Sequence, residues 1–174
     1  MTMIRPAAIQ DHPAIQRVVR DAYREFSFGF EPEGYNRDLF EIHSHYAAPN
    51  AFWVAESDGQ ILGCIGIEIF PTHPGKMGQL QEVGGQIRVA GADCELVRLY
   101  LDKEARGRGI GRRLAETCIG YARENNCQAM EIWSDKVLAN AHKLYQALGA
   151  EILGERLCPP PDETPEWGML IRLR

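Results

Sequence analysis

Between Glu95 and Leu114 the chain changes character within a few residues. An apolar, strand-like run, Glu95-Leu96-Val97-Arg98-Leu99-Tyr100-Leu101, passes through the charged link Asp102-Lys103-Glu104-Ala105 into Arg106-Gly107-Arg108-Gly109-Ile110-Gly111. From there Ile110, Leu114, Cys118, Ile119 and Ala122 recur as one stripe of a helix. Three glycines in five residues let the backbone take positive φ and let a ligand approach closely. Consecutive N–H groups in such a loop point inward as an anion-binding nest, and the helix dipole reinforces it. Nearby arginines add charge-assisted bonds. The stretch predicts a phosphate or pyrophosphate site at a strand-to-helix junction.

The charge distribution agrees. The chain carries a net −5, which argues against nucleic acid as a main partner. Residues 103–113 nevertheless hold Lys103, Arg106, Arg108, Arg112 and Arg113 against Glu104 alone. A local positive patch on an acidic body suits a small anionic ligand better than a long polyanion.

Around this junction the periodicities give an alternating order of elements. Met3–Ala8 reads as a strand, and Asp11 as the N-cap of a helix over 12–26, with Ile15, Val18, Val19, Ala22, Tyr23 and Phe26 at helical spacing. Residues 27–50, rich in Gly, Pro and aromatics, read as a loop or broken helix. Ala51–Glu56 and Ile61–Phe70 flank the turn Ser57-Asp58-Gly59-Gln60 as a hairpin. Residues 71–93 read as a long excursion with a short strand at Gln86–Val89, before the strand Cys94–Leu101. Gln128–Trp133 is a strand, and Leu138, Ala141, Tyr145 and Leu148 mark a helix ended by Gly149. Glu151–Leu157 and Trp167–Leu173 close the chain as strands. The order β-α-β-β-β-α-β-α-β-β predicts a mixed α/β (α+β) layer structure, and at 174 residues a single domain over 1–174.

Several ligand classes use glycine-rich loops. The only Gly-Lys pair, Gly75-Lys76, is followed by Met77 and lacks the first glycine of a P-loop. A dinucleotide fingerprint fits imperfectly: Arg112 interrupts it and a charged link separates strand from loop, although Glu131 lies where a ribose-binding acid is expected. The arrangement Arg106-x-x-Gly109-x-Gly111, after a Leu-Tyr-Leu strand and before a helix ending Leu144-Tyr145-Gln146-Ala147-Leu148-Gly149, resembles the pyrophosphate loop of the GCN5-related N-acetyltransferase (GNAT) family. The resemblance covers roughly residues 51–157.

It implies a mostly antiparallel mixed sheet of about seven strands flanked by helices, with acetyl-CoA as co-substrate and no metal. Leu99, Tyr100 and Leu101 would offer backbone groups to the pantetheine arm. The amides of Arg106, Gly107, Arg108, Gly109, Ile110 and Gly111, with Arg112 just beyond, would hold the pyrophosphate. Tyr145 matches the tyrosine that donates a proton to the departing thiolate. The family commonly has asparagine seven residues earlier; that position is Leu138, and the nearest asparagine is Asn140, carried as the candidate contact. Glu95, and second Glu68, are candidate general bases for the acceptor amine.

The expected reaction is acetyl transfer to a small-molecule or protein amine by direct attack in a ternary complex. A non-catalytic CoA or acyl-CoA sensor is the alternative. Glu31, Glu33, Asp38 and Glu41 in segment 27–50 are consistent with a cationic acceptor. The scattered cysteines Cys64, Cys94, Cys118, Cys127 and Cys158 form no C-x-x-C pair and read as buried thiols in a reducing compartment. No apolar run approaches a membrane span and the N-terminus lacks a signal-peptide core. The expected setting is therefore cytoplasmic, without a membrane or nucleic-acid partner, and possible as a homodimer. His43 and His45 have no partner at metal-ligand spacing, and His142 reads as a polar face residue of its helix.

Overall fold

Ile15, Val18, Val19, Ala22 and Tyr23 lie on one face of helix α1 (His12–Phe26), and all five are buried. In the computed structural model, which describes residues 1–174, that face packs on a seven-stranded sheet. The strands are β1 (Met3–Pro6), β2 (Ala51–Ser57), β3 (Gln60–Ile69), β6 (Cys94–Leu101), β7 (Ala129–Asp135), β8 (Glu151–Leu157) and β9 (Pro165–Arg172). Their order across the sheet is β1-β2-β3-β6-β7-β9-β8. Every pairing is antiparallel except the parallel β6–β7 pair. Between β3 and β6 the chain leaves the sheet for a separate hairpin of β4 (Leu80–Val83) and β5 (Gln86–Val89).

The two faces of the sheet carry different helices. One is covered by α1, the 27–50 segment and the short helix α2 (Ile42–His45), with Leu39, Ile42, Tyr46, Phe52, Val54 and Cys64 in a common cluster. The other is covered by α3 (Ile110–Glu124) and α4 (Ala139–Ala147), where Leu114, Cys118 and Tyr145 pack with Ile65, Ile67, Met130 and Ile132. Four of the five cysteines are buried, as their composition predicts. No helix is long and apolar enough to cross a membrane.

Some local expectations change. Asp11 does not cap α1; its φ of −82° and ψ of −16° are already helical. Its carboxylate instead accepts the Ala8 N–H at 2.7 Å and both terminal nitrogens of Arg5 at 2.7 and 2.9 Å. It thus closes the 3-10 turn Ile9–Asp11 that feeds the helix. The 27–50 segment is a broken helix, with a 3-10 turn at Arg37–Phe40 before α2. The excursion 71–93 contains β4 as well as the expected β5.

Gly149 ends α4 as expected, with φ +97° and the Ala150 N–H returning to the Tyr145 carbonyl at 2.9 Å. A Cβ there would meet nothing within 4 Å, so Gly149→Ala carries only the backbone penalty. We expect a loss of about 1–2 kcal/mol, read as a fall in Tm of roughly 2–4 °C per kcal/mol for a chain of this size.

Candidate active site

The parallel pairing of β6 and β7 covers only Cys94↔Met130 and Glu95↔Glu131. Beyond Glu95 the two strands part. The opening becomes a cleft of about 450 Å³ lined by Leu96–Tyr100 of β6 and Ile132–Asp135 of β7, with Leu138, Ala141 and Tyr145 of the α4 region. The backbone of β6 facing β7 is therefore unpaired by strands along Leu96–Leu101.

A bulge shapes this strand. The β3–β6 register shifts between Cys64 and Gly66, and Arg98 takes φ +56°. Leu96, Leu99 and Leu101 consequently pack on the α3 side, while Val97 and Tyr100 pack on the α1 side. The extra residue, Arg98, is held firmly. It donates to Asp38 at 2.7 and 3.0 Å, to the Tyr23 hydroxyl at 3.0 Å and to the Tyr35 carbonyl at 2.7 Å. Asp38 also accepts the Tyr46 hydroxyl at 2.6 Å. Asp38 is thus neutralised within the fold, and Glu41 pairs with Arg37 at 2.9 Å. The carboxylates of the 27–50 segment are less available to a cationic acceptor than the sequence implies.

At the C-terminal end of β6, a 3-10 turn at Lys103–Ala105 leads into the glycine loop. Gly107 and Gly109 have φ of +73° and +76°, and a Cβ at either would meet open space. Buried Ala105 and Ile110 anchor the loop on both sides. The N–H groups of Gly107 through Arg112 have no acceptor in the protein; the first backbone bond of the helix runs from Arg113 to Gly109. Six unpartnered donors at and before the start of a 15-residue helix have the chemistry to hold an anion. Gly111 serves packing: a Cβ there would sit 3.1 Å from Leu101 and 3.6 Å from Leu144. The arginine side chains play smaller parts. Arg106 donates to Glu25 at 2.8 Å and to the Leu101 carbonyl at 3.2 Å, while Arg112 reaches Glu116 one turn on. Arg108 is exposed and unpaired.

Tyr145 is 4% exposed and lines the cleft from α4, and its hydroxyl makes no hydrogen bond within the protein. Burial pushes its phenol above the ordinary range, so it stays protonated as a donor. Beside it, His142 is buried rather than on the polar face, and its Nε2 lies 3.0 Å from the Ser134 hydroxyl, tying α4 to β7. Leu138 lines the cleft; Asn140 is exposed, lies outside it and makes no hydrogen bond. Two residues along a helix is a turn of about 200°. Asn140 thus does not take the place of Leu138 in the cleft.

Glu95 and Glu68 are register partners across β6 and β3, and both line the cleft. Glu68 holds His45 Nε2 at 2.7 Å. Burial, and then the neighbouring Glu131 and Glu68 against the pull of Arg88, push the Glu95 carboxyl up to about 8. Glu131, expected as a possible ribose-binding acid, is instead fully buried. Its oxygens accept Arg88 Nε at 2.6 Å, the Val89 N–H at 2.8 Å and the Trp133 indole N–H at 3.0 Å.

Arg88, Arg98, His45 and Trp133 were not among the candidate residues. An arginine inside an apolar strand was the available signal for Arg98. The Gly84-Gly85 hairpin turn was the signal that β5 returns toward the site. Cys94 is pushed up by burial and is no nucleophile. Asp93, Cys94 and Cys127 bring ligand-type atoms within 4.8 Å of one another. The Asp93 carboxylate is already engaged, accepting the Gln128 N–H at 2.9 and 3.0 Å and the Ala129 N–H at 3.2 Å.

Known proteins share this fold. The family model described as Acetyltransferase (GNAT) family matches residues 15–150. Over 156 residues the chain is 28% identical to the uncharacterized N-acetyltransferase YjgM of Escherichia coli, covering 86% of this chain and 81% of that protein. It is 32% identical over 120 residues to the N-acetylaspartate synthetase of Danio rerio, covering 68% of this chain but 36% of that longer protein. Among solved structures, an acetyltransferase of the GNAT family from Staphylococcus aureus superposes with a TM-score of 0.78 at 16% identity, covering 100% of both chains. The yncA protein of Salmonella typhimurium, solved with its cofactor acetyl-CoA, gives 0.70 at 17% identity, covering 99% of this chain and 94% of that one. At such identities these two establish the fold.

Proposed function

The chain belongs to the GNAT acetyltransferase family, and we propose that it moves the acetyl group of acetyl-CoA to an amine by direct attack in a ternary complex. The observation that carries this reading is the pairing of two features: the cleft between β6 and β7 with Tyr145 against its wall, and the six unpartnered N–H groups in the loop that follows β6. Acetyl-CoA fits these features. Its pyrophosphate matches the loop amides 107–112, and its pantetheine amides match the unpaired β6 backbone at Leu99–Leu101.

Bound there, acetyl-CoA supplies a thioester carbonyl. The amine nitrogen–carbon bond forms, the carbon–sulfur bond breaks, one proton leaves the amine and one reaches sulfur. Glu95 takes the amine proton. A backbone N–H of β6 stabilises the developing oxyanion, fixed in place before the reaction begins. Tyr145 donates to the leaving sulfur, whose conjugate thiol has an ordinary pKa of about 8.5. Removing the phenol leaves solvent to protonate the thiolate. Tyr145→Phe is expected to lower kcat about 10²-fold, the lower end for general acid catalysis, with little change in the KM for acetyl-CoA. Unchanged turnover from pH 6 to 10 would remove Tyr145 from this role.

The arginines that line the cleft bear on the acceptor. Arg37, Arg88, Arg98 and Arg156 are each paired with a carboxylate. None is left to bind an acceptor carboxylate, which supports a neutral or cationic amine over an aspartate-like one. The reading is tested by CoA thiol release from acetyl-CoA with a panel of a monoamine, a diamine, aspartate and a peptide N-terminus. Acetylation of any acceptor supports transfer, and preference for aspartate would overturn the charge argument. Acetyl-CoA binding without thiol release from any acceptor would leave a CoA-binding sensor. The five unpaired cysteines support a reducing, cytoplasmic setting.

A further inference from the structure

The β4–β5 hairpin stands apart from the main sheet, yet it delivers one side chain into the cleft. Gln81↔Arg88 and Leu80↔Val89 pair within it, and Gly84-Gly85 make its turn. Three contacts dock it. Val89 and Ala92 pack on Ala129 and Leu170, Arg156 donates to the Ile87 carbonyl at 2.8 Å, and the Val89 N–H binds Glu131 at 2.8 Å. Arg88 is therefore carried in on a clamped strand.

Its guanidinium bridges two carboxylates. Arg88 Nε donates to Glu131 Oε1 at 2.6 Å, and its terminal nitrogen donates to Glu95 Oε2 at 2.8 Å while also pairing with Glu131. The Phe70 ring lies 5.1 Å beneath it, so the fork is held from below as well. Glu131 is fully buried and belongs to the framework; Glu95 lines the cleft. We propose that Arg88 is a positioning residue that aims the Glu95 carboxylate into the cleft and sets the pH at which it accepts the acceptor's proton. This rests on the reading of Glu95 as the general base.

The charges around Glu95 give the proposal a sign. Arg88 on β5 and Arg156 on β8 favour its ionised form, while Glu131 on β7 and Glu68 on β3 oppose it. His45 on α2 reaches this set only through Glu68. Removing Arg88 leaves Glu95 between two like charges, which raises the pH at which it ionises. Removing the Glu131 charge relieves one repulsion and frees Arg88 for Glu95 alone, which lowers it.

The test is the pH profile of kcat/KM with saturating acetyl-CoA for wild type, Arg88→Met, Arg88→Lys, Glu131→Gln and Glu95→Gln. Thermal melting and acetyl-CoA affinity confirm that each variant is folded. In Arg88→Met the acidic limb is expected to move up by about one pH unit or more. Activity at pH 7 then falls roughly tenfold per unit and recovers at high pH, with acetyl-CoA affinity unchanged. Arg88→Lys, which keeps the charge but cannot fork, lies between, and Glu131→Gln moves the limb the opposite way.

A pH-independent loss in Arg88→Met and Arg88→Lys would overturn the proposal and leave Arg88 as a structural tie. If Arg88→Met does not fold, Arg88→Lys and Glu131→Gln must still move the limb in opposite directions, and equal limbs would overturn it. Glu95→Gln separates the two claims. A limb that survives in Glu95→Gln rejects Glu95 as base, and no amine-dependent thiol release from wild type rejects acetyl transfer itself.

Discussion

Replacing Gly109 with tryptophan is expected to abolish acetyl-CoA binding while leaving the protein folded. Gly109 has φ +76° and a Cβ there meets nothing within 4 Å. The fold itself therefore loses only the left-handed backbone penalty, about 1–2 kcal/mol. The indole must then occupy the space in front of the amides of Gly107–Arg112, which have no partner in the protein. A hydrogen bond to a charged group is worth about 1.5–3 kcal/mol net. Blocking two of them lowers affinity on the order of 10³-fold. Thermal unfolding separates the terms. In wild type, acetyl-CoA at 100 times its Kd stabilises by about 2.7 kcal/mol. The variant should start slightly lower and gain nothing. An undiminished ligand shift in Gly109→Trp would place the cofactor elsewhere.

That loop was legible because all its parts are contiguous. Glycines, arginines and the start of α3 fall within a few residues, so local chemistry was enough to mark an anion site, and the family resemblance added acetyl-CoA. The amphipathic stripe of α1 and the Asp58-Gly59 hairpin were legible for the same reason: each is a local pattern. The cleft is different in kind. Arg88 and Glu95 are near neighbours in sequence, but Glu131 lies 43 residues beyond Arg88, and the three meet only because β6 and β7 run parallel for two residue pairs and a hairpin folds back over them. No spacing rule relates them.

The bulge at Arg98 is a second such case. Strict alternation would put Arg98 on the same face as Leu96, against α3. The positive φ puts it instead with Asp38 and Tyr23 on the α1 face, beside Val97 and Tyr100. Asn140 shows the opposite risk. Nearness in sequence made it the stand-in for the position held by Leu138, but on a helix two residues is half a turn. Its side chain lies outside the cleft that Leu138 lines.

Glu95→Gln is expected to lower kcat by about 10²–10⁴-fold, the range for removing a general base, and to erase the acidic limb of the pH profile. The magnitude follows from matching. A lysine-like ammonium has a pKa of about 10.4 and an ordinary glutamate about 4.3, a gap of about 8 kcal/mol at 1.36 kcal/mol per unit. With Glu95 pushed up to about 8, the gap shrinks to about 3 kcal/mol, so the burial that disfavours its charge makes it a competent base. The same burial has a stability consequence. Because the folded value lies above the ordinary one, the folded state holds a proton that the unfolded chain has already lost between roughly pH 4.5 and 8. Stability due to this group therefore falls as pH rises through that window, and glutamine, which cannot ionise, is spared. Glu95→Gln should melt at an increasingly higher temperature than wild type from pH 5 to pH 8.5, even as it loses activity. A Tm difference constant with pH would mean that Glu95 ionises normally, and with it both the matched base and the purpose of Arg88 would go.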